Sequence, residues 1–412
     1  MSWLIPRNGL TPDQIRAIEM APTENRAIVG GPGSGKTQIL LHRARWLCDR
    51  MNVAPDRYRI LVFTNVLKDY IRSALQLLDL SDDAVMTFDH WCRLLYEEHI
   101  NPRLPWNSAA KCPNFAVIRS GVRNLMASGR LRTPLHDFIM VDEGQDLEDD
   151  VYGILQKAAA HITVCFDAKQ KIYDVVSTET GALSRLGIRR NNISLIEAFR
   201  VCPYLVEAAS VFIHDDTERQ AFRNQTGQSQ IEKETPVLVY ARSADEEREL
   251  LYDSVRERQL RGDRIAILLP LKRQVYGFAR GLTEVGIEVE VPSQRNQKSD
   301  LPVHDFASNR PKVMTYHSAK GLTFDSVFLP RLVEQSFPFA SEKRLEKLLF
   351  VALTRASKWA FLSTDFEKPL PILKERISPL VAARSLTVIK GRPAPRPVMT
   401  PERSEDDELD FL

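Results

Sequence analysis

A chain of 412 residues, 43% of them apolar, has room for two or three domains with ordinary cores. Its 56 Lys and Arg against 54 Asp and Glu leave a net charge of +2, which excludes a global positive field, so a polyanionic partner has to be held by a local groove. Five scattered cysteines, without a C-x-x-C pair or neighbouring histidines, argue for reduced thiols and against a zinc or iron–sulfur site. There is no signal-peptide pattern at the start and no run of about 18 apolar residues, so the expectation is a soluble, cytoplasmic protein with no membrane partner.

In chain order, the first element is a helix opening at Leu10, with Thr11 or Asp13 near its cap and Pro12 in its first turn. Gln14 reads as a solvated residue on it. Ala27-Ile28-Val29 is an apolar strand that runs into Gly30-Gly31-Pro32-Gly33-Ser34-Gly35-Lys36-Thr37, and a helix follows from Gln38 to Leu47. This is G-x-x-x-x-G-K-[ST] in its strand–loop–helix context. A loop that wraps backbone N–H groups around phosphate oxygens needs residues such as Gly33 and Gly35, with no Cβ in the way. The helix behind it aims its positive end at the same anion. Lys36 is expected to reach the β and γ phosphates, and Thr37 to place its hydroxyl on Mg²⁺.

Beyond the loop, Ile60–Asn65 is a short buried strand, followed by an amphipathic helix from about Leu67 to Leu78. Val85–Phe88 is another strand, and a short insertion of about residues 93–136 holds prolines, aromatic anchors and the basic segment Arg119 to Arg132. Asp137–Glu143 is a buried strand that delivers Asp142 and Glu143 at its C-terminal end, where ligands sit in open α/β sheets. Ile162–Asp167 and Ile193–Ile196 complete a doubly wound alternation. A polar stretch from Phe212 to Glu234 reads as a hinge. A second alternation has strands at 236–240, 264–269, 287–291, 312–317 and 326–330, with helices at Ala244–Arg261, at Gln274–Leu282 and before Thr354. The fold class is α/β, with a first domain at 1–211, a second at 212–385 and a disordered, acidic-ended tail at 386–412.

A phosphate loop followed by a strand ending Asp-Glu is the grammar of an NTP hydrolase, with Thr37 and Asp142 holding Mg²⁺ and Glu143 polarising the attacking water. A kinase uses similar parts. The further stretches Gly144-Gln145-Asp146, Phe166 to Tyr173, Phe199-Arg200, Thr315 to Leu322 and Val351 to Ala356 follow in one order. As a set they resemble the superfamily 1 helicases of the UvrD/Rep/PcrA type, from about Leu10 to Ser363. The resemblance implies two RecA-like P-loop NTPase domains in tandem, ATP and Mg²⁺ as cofactors, and a translocase that hydrolyses ATP on single-stranded DNA in the 3′-to-5′ sense. By position, it implies that Gln14 reads adenine, that Arg43 and Phe199 flank its ring, and that Gln38 joins the nucleotide set. Gln170 senses the γ-phosphate, and Arg200 and Arg355 act as arginine fingers when the domains close. Phe63, Thr64, Asn65, Thr87, Phe88, Tyr173, Thr315, Tyr316 and His317 contact the strand by stacking and hydroxyl-to-phosphate bonds.

Four departures accompany the resemblance. The family inserts large helical subdomains between Phe88 and Asp142 and between Val291 and Val313, where this chain has roughly 50 and 20 residues, less than a domain. Asp174-Val175-Val176-Ser177 replaces a run whose tryptophan stacks on a base. Phe166 replaces a glycine, and Thr323 a glutamate near the ribose. The expectation is a whole ATPase centre with a trimmed duplex-splitting apparatus, and unwinding that needs a protein partner, with Glu408–Leu412 as a docking tip. RNA in place of DNA stays open. The alternative reading is an ATP-switched interaction module that hydrolyses ATP without moving a strand.

Overall fold

Runs of apolar, β-branched residues with both faces covered favour parallel strands, and such runs build two sheets here. The computed structural model describes residues 3–167, 179–196, 201–225, 234–292, 301–338 and 340–391. The first sheet contains β1 (Arg26–Gly30), β2 (Tyr58–Val62), β3 (Val85–Thr87), β4 (His136–Val141), β5 (Ala159–Phe166) and β6 (Ile193–Ile196), in the spatial order β3-β2-β4-β5-β1-β6. The second contains β7 (Val237–Ala241), β8 (Ile265–Leu269), β9 (Lys312–Thr315), β10 (Phe324–Leu329), β11 (Ala356–Asp365) and β12 (Thr387–Lys390), in the order β9-β8-β10-β11-β7-β12. Counted within each sheet, the two orders are identical. All the pairings are parallel. The chain thus holds two RecA-like sheets in tandem, each flanked by helices.

Three apolar clusters hold the layers. One fills the outer face of the first sheet, from Ala27 to Ile188, and another that of the second, from Val239 to Phe361. The third runs through both bodies, from Trp3 past Tyr70 and Tyr316 to Leu386. Among the described residues no helix is long and apolar enough to cross a membrane.

The structure departs from the sequence reading in four places. Residues 287–291 make only isolated bridges, Glu290 to Lys312 and Val291 to Val303. There the buried Glu290 carboxylate accepts from Asp305 N at 2.6 Å and pairs with Lys312 at 2.7 Å, while the Glu290 backbone donates to Pro311 O at 3.0 Å and accepts from Val313 N at 2.8 Å. The strand β11 begins directly after Arg355 with no break to announce it. Helix Pro203–Ser210, inside the 1–211 span, packs on β11 and on helices Glu342–Leu353 and Pro371–Ala382 of the second sheet, and Cys202 N donates to Ser357 O at 2.7 Å. The strand β12 pairs with β7 beyond residue 385, so the second sheet extends into the stretch assigned to the tail.

Arg43 is fully buried on the helix Lys36–Met51. Its Nε donates to Thr163 Oγ1 at 2.8 Å, and one terminal nitrogen donates to Ile18 O at 2.8 Å and Met20 O at 2.7 Å. The other lies 3.1 Å from His161 Nε2. The guanidinium therefore closes the carbonyl end of helix Pro12–Ile18 and ties it to β5. Its place is the interior, away from any base-binding surface. Arg43→Leu leaves those buried carbonyls without donors, so it should cost about 3 kcal/mol or more, read as a lower denaturant midpoint at unchanged m-value.

Candidate functional site

In a parallel sheet every strand delivers its loop at the same edge, so β1, β4 and β5 bring the phosphate loop, Asp142-Glu143 and Asp167 together. Gly33 and Gly35 have φ of +76° and +80°, and a Cβ on them would lie 2.4 Å from Val201 Cγ2 and 2.8 Å from Gln14 Nε2. Only glycine suits that path. Lys36 Nζ folds back on the loop, donating to Gly30 O at 2.8 Å and Gly31 O at 3.0 Å, and reaches Asp167 Oδ2 at 3.2 Å. Thr37 donates its hydroxyl to Asp142 Oδ2 at 2.7 Å.

Glu143 sits at φ +54°, a left-handed conformation that a side chain adopts under constraint. The constraint is visible. Its N–H donates to Asp142 Oδ1 at 3.0 Å, Gln145 Nε2 donates to Glu143 Oε2 at 2.5 Å, and Asp167 N donates to Gln145 Oε1 at 2.9 Å. Burial pushes the Asp142 carboxyl up to about 6, with Glu143 adding to the rise and the Thr37 hydroxyl opposing it.

From the second body, Lys320 inserts into this cluster. It is 2% exposed, pairs closely with Asp146 and lies 3.8 Å from Glu143 Oε2. Burial nevertheless holds the Asp146 carboxyl up, at about 7, against the pull of that ammonium. Arg355 is also buried, with Nε on Val351 O at 3.1 Å and a terminal nitrogen on Leu322 O at 3.1 Å. Burial lowers its pKa, and the negative charges of Glu143, Asp167 and Asp142 oppose that shift.

A cavity of about 540 Å³ joins the two bodies. From the first sheet it takes Gln14, Gly33, Gly35 to Gln38 and Glu143, at strand C-terminal ends. From the second it takes Arg264, Thr323, Arg355 and Lys358, at strand N-terminal ends. Gln14 is the N3 residue of a capping box on Thr11, and its Nε2 donates to Ser34 O at 2.9 Å, so the residue expected at adenine is buried against the phosphate loop. Gln38 lines the cavity and bonds the backbone of Trp3 and Ile5. Among the described residues no group of three or more His, Cys, Asp or Glu is placed to hold a metal. Thr37 and Asp142 instead form a sparse all-oxygen pair, the kind Mg²⁺ takes together with water and phosphate.

The family of the UvrD/REP helicase N-terminal domain matches residues 10–137, and that of the UvrD-like helicase C-terminal domain matches 297–366. The chain belongs to the UvrD-like helicases. It is 35% identical over 97 residues to DNA helicase II of Escherichia coli, a stretch that covers 23% of this chain and 14% of that protein. It is 25% identical over 257 residues to a probable DNA helicase of Mycoplasma pneumoniae, covering 55% of this chain and 43% of that one. The chain thus matches less than half the length of either relative. A solved C-terminal domain of a possible DNA helicase from Lactobacillus plantarum overlaps 46% of this chain and 98% of its own at 16% identity, with a TM-score of 0.34, too loose to build on.

In this UvrD-like helicase the expected strand contacts fall into two groups. Thr64 lies just past β2, Thr87 and Thr315 end β3 and β9, and each hydroxyl oxygen accepts the N–H three residues on, from Leu67 at 3.1 Å, His90 at 3.3 Å and Ser318 at 3.2 Å. A hydroxyl in that role still has a proton to donate. Asn65 is exposed, while Phe63 and His317 are half-buried. Phe88 and Tyr316, in contrast, are core residues: Phe88 packs on Trp91 at 5.8 Å, and Tyr316 stacks on Phe337 at 6.1 Å. Neither ring offers a face to a base. Gln170, Tyr173, Phe199, Arg200 and the tip Glu408–Leu412 lie outside the described residues.

Sequence reading assigned no role to Lys320, Asp146, Gln145 or Asp167, although each stands inside a quoted motif. Lys320→Met leaves two buried carboxylates short of a cation and should cost about 3–5 kcal/mol. With Asp146→Asn in the same chain the loss should fall well short of the sum of the two single losses, as measured in a denaturation double-mutant cycle.

Proposed function

We propose that this chain is an ATPase that moves along single-stranded DNA in the 3′-to-5′ sense, with strand separation left to a protein partner. The carrying observation is that the phosphate loop of one sheet and Arg355 of the other line a single cavity. Hydrolysis then depends on how closely the two bodies approach.

In this reading Gly33 and Gly35 cradle the phosphates, and Lys36 gives up its loop carbonyls for them. Thr37 and Asp142 would hold Mg²⁺, which would supply positive charge to offset that of the phosphates. Glu143 is held by Gln145 to take a proton from the attacking water. Arg355 turns from Leu322 O toward the γ-phosphate as the cleft tightens, with Arg200 and Gln170 as its counterparts. Gln14, Gln38 and Phe199 supply the base end of the site, and Arg43 takes no part. Thr64, Asn65, Thr87, Thr315 and His317 grip the strand's phosphates. The near-neutral chain relies on these local hydroxyls and amides.

The test is ATP hydrolysis by the whole chain with and without single-stranded DNA or RNA. Stimulation by DNA is expected, with Glu143→Gln lowering kcat by about 10²- to 10⁴-fold and Lys36→Ala abolishing turnover. Equal rates with and without any strand would overturn the translocase reading and leave the ATP-switched module. Thr37→Ala should also raise the Mg²⁺ concentration needed for half-maximal rate, measured by metal titration.

A further inference from the structure

Several surface arginines elsewhere have an acid one turn away, as in Arg45–Asp49, Arg219–Asp216, Arg248–Asp245 and Arg261–Glu257. The segment 99–136 offers no such acid from within itself. It contains Arg103, Lys111, Arg119, Arg123, Arg130 and Arg132 and no Asp or Glu. Arg119 reaches outside the segment to Asp89 at 3.1 Å and Glu148 at 3.0 Å. Arg103, Lys111, Arg130 and Arg132 are exposed, with no ion pair among the described residues. In a chain of net charge +2, this short insertion thus carries six basic residues and no acid of its own.

An aromatic side chain stands on the same element. Trp106 is 60% exposed, on a two-strand ribbon that pairs Trp106–Asn107 with Cys112–Pro113. Next to it the helices Phe88–His99 and Phe115–Ala127 leave a groove of about 530 Å³, lined by Tyr96, Ile100, Val117, Asn124 and Arg130. An exposed indole on an element that also carries cations without acidic partners fits a ligand that offers both flat apolar faces and negative charge. Thr87 caps the first of these helices. Twelve residues of helix span about 18 Å, and the ribbon follows within a few residues of its far end.

We propose that this insertion is a second single-strand nucleic-acid contact, in which a base stacks on Trp106 while Arg103, Lys111, Arg130 and Arg132 hold phosphates, extending the grip that begins at Thr87. The inference rests on the strand-binding reading above and adds an area that the motif residues do not include.

The experiment is fluorescence anisotropy of a labelled 30-nucleotide single strand with the full chain across a salt series. The variants are Trp106→Ala, Arg103→Glu with Lys111→Glu, and Arg248→Glu as a surface control. Trp106→Ala is expected to weaken binding about tenfold, within the range for one stacked base. The double charge reversal should reduce the slope of log affinity against log salt by about 0.7 per lost phosphate contact. Arg248→Glu should leave both unchanged, and ATP hydrolysis without a strand should be the same in all variants. If wild type binds and is stimulated while the insertion variants match it in affinity and slope, this inference falls and the strand reading stands. If wild type itself does not bind single strands, both fall.

Discussion

The ammonium of Lys320, buried between Asp146 and Glu143, is the interaction on which the relation of the two bodies depends. A charge so placed is expensive to desolvate, and the arrangement is tolerable only while its partners stay in place. Separating the sheets would strand two carboxylates on one side and a cation on the other. The bodies are therefore held in register by an electrostatic contact at the catalytic carboxylate itself, beside an apolar cluster that is shared by both. The same residue sits three positions after His317, so the segment that carries the Thr315 hydroxyl also carries the charge that faces Glu143. A disturbance at one end of that turn has a short covalent route to the other.

Charge is crowded at this junction. Asp142, Glu143, Asp146 and Asp167 are all buried, and Lys36, Lys320 and Arg355 face them. Burial raises the pKa of both Asp142 and Asp146. Lys36, besides its pairing with Asp167, and Arg355 spend donors on backbone carbonyls, Gly30 and Gly31 for one and Val351 and Leu322 for the other. These are neutral acceptors that an anionic oxygen outcompetes, since charge-assisted hydrogen bonds are about twice as strong as neutral ones.

The phosphate loop, the Asp-Glu pair and most strands were legible because each depends on a local rule: glycine at positive φ, or an apolar run ending in polar residues. The site's cross-body half was less so. Arg43 was expected at a base and is instead a buried cap for a helix's carbonyl end, a role set by residues over a hundred positions away, Thr163 and His161. Phe88 and Tyr316 carry aromatic rings at motif positions, and only packing on Trp91 and Phe337 reveals them as core. The strand β11 was hidden because helix, Arg355 and strand run on without a turn signal. Lys320 was visible as a letter in a motif, but its partners lie at positions 143 and 146, a pairing that no local pattern encodes.

The identical strand order of the two sheets has a further consequence. The cavity lies between the C-terminal edge of the first and the N-terminal edge of the second, so the two halves stack head to tail, as successive subunits do in an open filament and unlike the face-to-face halves of a two-fold dimer. Such stacking has no symmetry axis to make its ends equivalent. One sheet spends its loop edge on the shared cavity, while the matching edge of the other points away from it. A molecule assembled this way is a vector, and any ligand laid along both halves meets two different surfaces in a fixed sequence.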